Sequence, residues 1–536
     1  MQFVSRARGK YPCIDAPYMQ EANHEKVECE NVDPPTILDS QMSNNLQIPF
    51  NFEGNGALDN PLSPESYKGF AGFHKYWGKK PIEVWRFLIE KLALPHDIVL
   101  DPFLGSGLIA KECVNHNCRF IGFDVNPISI ELTKLYLHPP NYIDLGKAIY
   151  EIENRVKPLI NSMYQLSDGN IATHLLWNND QITRVWTKNG SKKVELNLTK
   201  LELENLQSAE EYQPIRLREL CLFDNTRINS QKNLSLTKLF TPRALRAIDL
   251  IKGEIEQYSG NLRRALLLIL SASVGQMSNM VFAVSKRGKT KGIETDKIEV
   301  GSWVVGYWCP AQHFEINAWN CYATKANKLL KAVEEDRYIK SATISQSLND
   351  FLNTAETVYV QQGDSEQLLK DIPTGSIKVI LTDPPHGDRI PYLELSEMWN
   401  SIIGLDSNYE EELVVSNAKE HGKDIKSYNE KLSAIFYQCA RVLKKNGFMA
   451  ILFNTRSECH WQSFRELDAA TGLDYIGCYP SPYSAGSVLQ DNRQGGLKSD
   501  FVLLYGKQIS KEKRLKTVNT FNDVKGWTTL YPQESD

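Results

Sequence analysis

Three acids stand where an apolar strand gives way to a turn built of small or rigid residues. The first is Asp101, in Val99-Leu100-Asp101-Pro102-Phe103-Leu104-Gly105-Ser106-Gly107. A buried strand delivers this carboxylate to its carboxyl end, the edge of an open α/β sheet at which ligands bind. Gly105 and Gly107 let backbone approach a ligand with no Cβ in the way. The third glycine of the dinucleotide fingerprint is missing, which argues against a nicotinamide cofactor. The second acid is Asp124, in Phe120-Ile121-Gly122-Phe123-Asp124-Val125-Asn126-Pro127. It is placed to accept hydrogen bonds from ribose hydroxyls, and also to cap a helix opening near Pro127. The third is Asp383, in Val379-Ile380-Leu381-Thr382-Asp383-Pro384-Pro385-His386. Two prolines directly after a buried strand make a stiff, non-helical corner that presents Asp383 and nearby carbonyls as fixed acceptors.

The elements that must hold these acids follow from periodicity. Pro81–Leu92 reads as an amphipathic helix, with Val84, Phe87, Leu88 and Leu92 on one face. Strand Asp97–Leu100, helix Leu108–Asn115, strand Arg119–Phe123 and helix Pro127–Leu137 alternate with short connections, the pattern of a parallel sheet. The rhythm stops at about 141 and resumes at strand Thr357–Gln361, which runs into Gly363-Asp364. Lys378–Thr382 is a further buried strand, and Lys426–Lys445 a helix stopped by Asn446-Gly447. Phe448–Phe453, Asp474–Cys478 and Phe501–Tyr505 complete seven strands. The fold expected is therefore α/β: one Rossmann-like, seven-stranded sheet interrupted by a large, mostly helical insertion. Within the insertion, Thr241-Pro242 opens a helix as N-cap and first position, and further helices fall near 262–283 and 323–334. The segments expected are an N-terminal extension at 1–60, sheet domain at 61–140, insertion at 141–354, sheet domain again at 355–508, and a polar tail at 509–536.

Composition bounds the rest. The 536 residues suggest about three domains. A hydrophobic share of 42% and a charged share of 24% are those of a globular chain rather than a disordered one. The net charge of −4 leaves no basic footprint over the whole molecule, so any nucleic-acid surface must be a local patch. One such patch is Lys286-Arg287-Gly288-Lys289-Thr290-Lys291, where Lys286, Arg287, Lys289 and Lys291 suit phosphate contacts or a solvated loop equally. The ten cysteines are scattered without a CxxC, so no zinc site or other metal is expected. No stretch is apolar for long enough to span a bilayer. The expected setting is intracellular, with reduced thiols and no membrane partner; the resemblance described next implies a prokaryotic cytoplasm.

Taken together, these strings resemble the amino-group DNA methyltransferases, which make N6-methyladenine or N4-methylcytosine from S-adenosylmethionine. Asp101, Pro102, Phe103, Gly105, Ser106 and Gly107 resemble that family's Asp-Pro-Phe-x-Gly-Ser-Gly motif for the methionine end of the cofactor. Asp124, followed by Asn126, matches its ribose acid, and Asp364 resembles the acid that meets the cofactor adenine. Phe73-His74-Lys75-Tyr76-Trp77-Gly78-Lys79-Lys80-Pro81 resembles the segment closing over the cofactor carboxylate, which puts Lys75 and Tyr76 in the cofactor site. Asp383, Pro384, Pro385 and His386 resemble the catalytic Asp-Pro-Pro-Tyr, with His386 in place of the aromatic.

The resemblance implies a cofactor, S-adenosylmethionine, and a partner, double-stranded DNA with the target base flipped out. Asp383 and the Pro384 carbonyl would accept the amine hydrogens, and His386 would stack on the base. An aspartate opening the motif leans towards N6 of adenine. The family also implies restriction-modification or phage defence, with restriction or defence subunits as separate chains. Three alternatives stay open: N4 of cytosine, an RNA base as substrate, or a degenerate DNA-binding subunit.

Overall fold

The structure is a computed structural model. It describes residues 67–522 other than 191, 209, 285–297, 304–305, 337–341, 456–457 and 483–498. The extension at 1–60 and the cluster Lys286, Arg287, Lys289 and Lys291 therefore lie outside the described residues.

Gly69–Phe73 (α1) and Ile82–Leu92 (α2) lead into Ile98–Asp101 (β1), Leu108–Asn115 (α3), Arg119–Asp124 (β2) and Pro127–Leu137 (α4). The insertion then carries Tyr142–Ser162 (α5), His174–Asn178 (β3), Gln181–Asn189 (β4), Lys192–Leu196 (β5), Pro242–Ile255 (α6), Gly260–Met277 (α7), Val281–Val284 (β6), Glu299–Trp303 (β7), Gln312–Ile316 (β8) and Ala318–Asp336 (α8). The chain returns through Val358–Gln362 (β9), Ile377–Thr382 (β10), Tyr392–Ile403 (α9), Ile425–Val442 (α10), Leu443–Phe453 (β11), Asp474–Pro482 (β12), Ser499–Gly506 (β13) and Lys511–Asn522 (α11).

The main sheet has seven strands in the order β12-β13-β11-β10-β1-β2-β9. All its pairings are parallel except the two made by β13, which runs antiparallel to both β11 and β12. β1 sits between β2 and β10, with Leu100 opposite Ile121 and Ile380. Asp101 and Thr382 consequently end neighbouring strands at one sheet edge, and Asp383 follows directly. This edge, at the carboxyl ends of parallel strands, is where ligands bind in such sheets.

One face of the sheet is covered by α2, α3 and α11, through Leu88, Ile109, Cys113 and Phe521 packed on Val99, Val379 and Leu504. α4 adds Ile130 and Leu137 to this layer, and through Ile128 and Leu132 it joins α9 and the insertion in a second apolar cluster with Leu266, Leu270, Met398 and Trp399. Besides its helices the insertion contains a second, six-stranded sheet in the order β5-β4-β3-β8-β6-β7, antiparallel at every pairing. Two expectations need correcting. The polar tail at 509–536 includes α11, which buries Val518 and Phe521. The long helix ends at Val442 rather than Lys445, because Leu443 already pairs with Ile377 and the chain bulges out before Phe448 rejoins β10 at Val379.

Candidate functional site

Asp101 is 2% exposed and is tied at both sides of its strand. Its Oδ1 accepts from the Phe103 amide at 2.9 Å and from Thr382 Oγ1 at 2.7 Å, linking β1 to β10 one residue before Asp383. Burial raises its pKa to about 7, helped by the nearby charges of Asp383 and Asp124. Asp124 organises the next turn. Its Oδ2 accepts from Gly105 N at 2.7 Å and Ser129 Oγ at 2.9 Å, and its Oδ1 from Asn126 N at 2.8 Å. Burial lifts Asp124 to about 6, against the pull of these donors.

The two glycines of the turn have different reasons. Gly105 has φ +53, a left-handed conformation, with room beside it for a Cβ. Gly107 has φ +74, and a Cβ there would meet Thr133 Oγ1 of α4 at 2.0 Å. Gly107 thus serves the docking of α3 on α4 and does not line the cleft.

The cleft is walled by Tyr76, Trp77, Lys79 and Lys80 from the segment before α2, by Asp101 to Ser106, by Asp124, Asp364 and Asp383, and by Tyr392, Glu412 and Lys431. It encloses about 90 Å³, well below the ~300 Å³ at which small-molecule pockets begin. Asp364 caps its short helix by accepting from Glu366 N at 3.0 Å, and Lys431 Nζ lies 3.0 Å from its other oxygen. Ser365 donates to the Pro102 carbonyl, binding the two turns together.

Asp383 is half-buried, and its Oδ1 has two partners. His386 Nε2 lies at 3.0 Å and Lys80 Nζ at 3.3 Å. Among the described residues Oδ2 has no hydrogen-bond or ion-pair partner, so it is free to accept. Lys80 is in turn held by Asp500 Oδ2 at 2.7 Å. Burial alone would raise the pKa of Asp500, yet Lys80 holds it below the usual carboxylate range.

His386 is 7% exposed, and its tautomer follows from its neighbours. Arg389 Nη1, which can only donate, faces Nδ1 at 3.0 Å. Nδ1 is therefore the acceptor, and the proton sits on Nε2, donated to Asp383. Burial and the nearby Lys80 charge push the pKa down, so the ring is neutral. One side of it packs on Phe453, centroids 4.7 Å apart. Both ring nitrogens are engaged, an arrangement for orienting Asp383 more than for stacking. The Pro385 carbonyl accepts from the Tyr428 hydroxyl, which stiffens the corner; Pro384 and His386 stand behind the wall rather than in it.

Besides Gly107, two expected cofactor residues do not face the cleft. The Asn126 side chain is buried against α9, donating to Ser396 Oγ at 2.9 Å and accepting from Asn400 at 3.3 Å. Lys75 is turned outward, its ammonium 4.4 Å from the Trp77 ring centroid and 4.1 Å from that of Trp303. Burial and the neighbouring Lys325 lower it to about 8.

One residue that motif reading missed belongs here. Glu412 is 3% exposed, and its Oε1 accepts from Leu393 N at 2.9 Å while Oε2 has no hydrogen-bond partner among the described residues. Burial raises its pKa to about 8, aided by Glu394. Asp101, Asp124, Asp364 and Asp383 give the cleft an acidic lining suited to a cationic ligand, beside which Glu412 is held protonated. A separate hollow of about 360 Å³, among Ser162, Glu202, Tyr212 and Arg246 of the insertion, touches none of these acids. Among the described residues no group of His, Cys, Asp and Glu is placed to hold a metal, and no helix is long and apolar enough to cross a membrane.

Part of the chain is similar to known proteins. Residues 18–135 match the family model for N6/N4 methylases, described as DNA methylase. Over 130 residues the chain is 24% identical to Type II methyltransferase M.MjaII of Methanocaldococcus jannaschii, covering 24% of each protein. Over 83 residues it is 34% identical to Type II methyltransferase M.Cfr9I of Citrobacter freundii, 15% of this chain and 27% of that one. The aligned segments span about a quarter of the length of these curated relatives. Among solved structures, an rRNA methyltransferase, aviRa, of Streptomyces viridochromogenes aligns over 83% of this chain and 91% of its own at 9% identity, with a TM-score of 0.23. A score this low carries no weight for function.

Proposed function

We propose, from the premise that this chain belongs to the amino-group DNA methyltransferases of the N6-adenine and N4-cytosine family, that it methylates the exocyclic amine of a flipped base in double-stranded DNA. The observation that carries the reading is Asp383, delivered by β10 to the edge of the cleft with one oxygen clamped and the other free. S-adenosylmethionine, when bound, supplies a methyl group on a sulfonium centre. The acidic lining suits that cation, and the protonated Glu412 leaves Oε2 without a hydrogen-bond partner among the described residues, a polar group able to meet a ligand.

The chain's own residues do the remaining work. An exocyclic amine is a poor nucleophile because its lone pair is delocalised into the ring. Asp383 Oδ2 accepts one of its N–H hydrogens, and by the family resemblance the Pro384 carbonyl, which must come forward from behind the wall, takes the other, drawing the nitrogen towards a tetrahedral form with its lone pair free to attack. Positive charge that develops on nitrogen is stabilised by the anionic Asp383. Lys80 and His386 keep Oδ1 turned away from the amine, so that Oδ2 is presented without a search through rotamers. The base reaches this corner only by leaving the duplex, at a few kcal/mol of unstacking.

Adenine is the favoured base, and cytosine is the second reading. The resemblance further favours a role in restriction-modification or phage defence, with any nuclease on a separate chain, in the cytoplasm. The test is transfer of labelled methyl to duplex DNA by the full chain, with mass spectrometry of the digested nucleosides. N6-methyladenine is expected; N4-methylcytosine would reassign the base, and label in RNA alone would overturn the DNA reading.

A further inference from the structure

A group of lysines lies just outside the cleft and takes no part in it. Lys325, on α8, reaches the Phe73 carbonyl at 3.4 Å. Lys328, one turn on, runs its side chain past Gly72, where a Cβ would stand 3.5 Å from Lys328 Cε. Lys75 lies over Trp77 and Trp303. Lys75 and Lys328 are exposed, and Lys325 is half-buried. Among the described residues none of the three has a carboxylate within 4.0 Å. Lys331 on the same helix does have one, Glu335 at 3.8 Å, so the helix face is not uniformly unpaired.

The arrangement is electrostatically strained. Lys75 is exposed as a residue, but its ammonium is desolvated against the Trp77 and Trp303 rings; this lowers it to about 8, as burial does Lys325, and each is pushed further by a neighbouring ammonium: Lys325 on Lys75, Lys328 on Lys325. Solvated charge runs normally avoid this by spreading out or interleaving acids. In a chain of net charge −4, an acid-free group of cations from two segments is a local positive field. Neither cavity described above includes any of the three, and cations spread over two segments suit an extended anion. Trp77, under Lys75, is itself part of the cleft wall, which places Lys75 against that wall.

We propose that Lys75, Lys325 and Lys328 form a phosphate-binding surface that seats the duplex backbone next to the cleft, a proposal that rests on the DNA reading above. These contacts position without reading sequence.

The test uses the full chain and a fluorescent duplex, with binding measured by anisotropy over a salt series. Each phosphate contact contributes roughly 0.9 to the slope of log affinity against log salt. The triple variant Lys75→Gln, Lys325→Gln, Lys328→Gln is expected to flatten that slope by about 2 to 3 and to bind at least tenfold more weakly at low salt. The corresponding triple arginine variant should keep the wild-type slope, which separates charge from fold. S-adenosylmethionine affinity, by calorimetry, should be equal in all three proteins. A wild-type slope in the glutamine variant overturns the surface alone. A wild type that binds S-adenosylmethionine but no duplex overturns the DNA reading and the surface together, as does a charge effect seen only with RNA.

Discussion

At the scale of single residues, the free oxygen of Asp383 and the clamp on its other oxygen make distinct predictions. Asp383→Ala should abolish methyl transfer while S-adenosylmethionine still binds within a fewfold of wild type, because Asp383 acts on the amine. Retained transfer would show that the reacting corner lies elsewhere. For His386 the hydrogen-bonded ring predicts that His386→Phe and His386→Ala lose activity alike, by roughly 10- to 100-fold for a charge-assisted hydrogen bond. His386→Gln, which can still donate and accept, should keep more. Full activity of the Phe variant would restore the stacking role. Protonating Nδ1 would set it against the Arg389 donor, so activity should fall on acidification. Burial and Lys80 hold the ring's pKa low, which places that fall below the ordinary histidine range near 6.5.

Glu412 gives a prediction in stability. Its folded pKa of about 8 lies above the unfolded value. The folded state therefore holds an extra proton between roughly 4.5 and 8, and the contribution of Glu412 is full below that window and lost on rising through it. Melting temperatures of wild type and Glu412→Gln should diverge in favour of the variant between pH 5 and pH 8; a constant gap would refute the burial argument. Asp101, Asp124 and Asp383 were legible because each follows an apolar strand and opens a rigid turn. Glu412 was not, because it is the third of Glu410-Glu411-Glu412, which reads as a solvated charged run until burial separates its members.

At the scale of elements, Leu108–Asn115 and Pro127–Leu137 were legible to the residue, since apolar spacing, Pro127 and the flanking turns all agree. The hairpin β4–β5 was missed although Asn189-Gly190 is a strong hairpin signal; a bulge between Leu176 and Trp177 and the polar faces of these strands blur the alternation around it. α11 was missed because its apolar content is slight, yet Phe521 is fully buried against Phe87 and Tyr479. Phe521→Ala should cost about 3–5 kcal/mol, as for large aromatic deletions in cores. Chemical unfolding would measure it, and a loss under 1 kcal/mol would mean that α11 detaches at little cost.

At the scale of the whole molecule, the segment before α2 joins the cleft to the insertion. Tyr76 and Trp77 wall the cleft, while His74 Nε2 meets Ser271 Oγ of α7 at 2.9 Å and Trp77 stacks on Trp399 of α9 at 5.6 Å. With only about 90 Å³ enclosed, this cover must shift to admit a nucleoside-sized donor. Amide exchange within 73–80 should slow on adding S-adenosylmethionine, while exchange in β3 to β5 stays the same. Equal exchange in 73–80 with and without the donor would argue for a rigid cleft.

The position of the insertion also constrains the order in which the protein assembles. β2 pairs with β9, and β1 with β10, across the entire inserted segment. Closing a flexible loop of that length costs about 5 kcal/mol in chain entropy before any strand contact repays it. The first and last long helices of the insertion, α5 and α8, pack against each other. Folding of the insertion therefore brings its two ends together and removes most of that cost. The sheet that carries the chemistry should consequently be the late event, templated by a segment that itself holds none of the three reactive acids. Pulse-labelled exchange during refolding would show amides of α5, α7 and α8 protected before those of β9 and β10. The same connectivity means that, on the ribosome, β1 and β2 emerge with both outer neighbours still to be made, exposing strand edges until the insertion has closed.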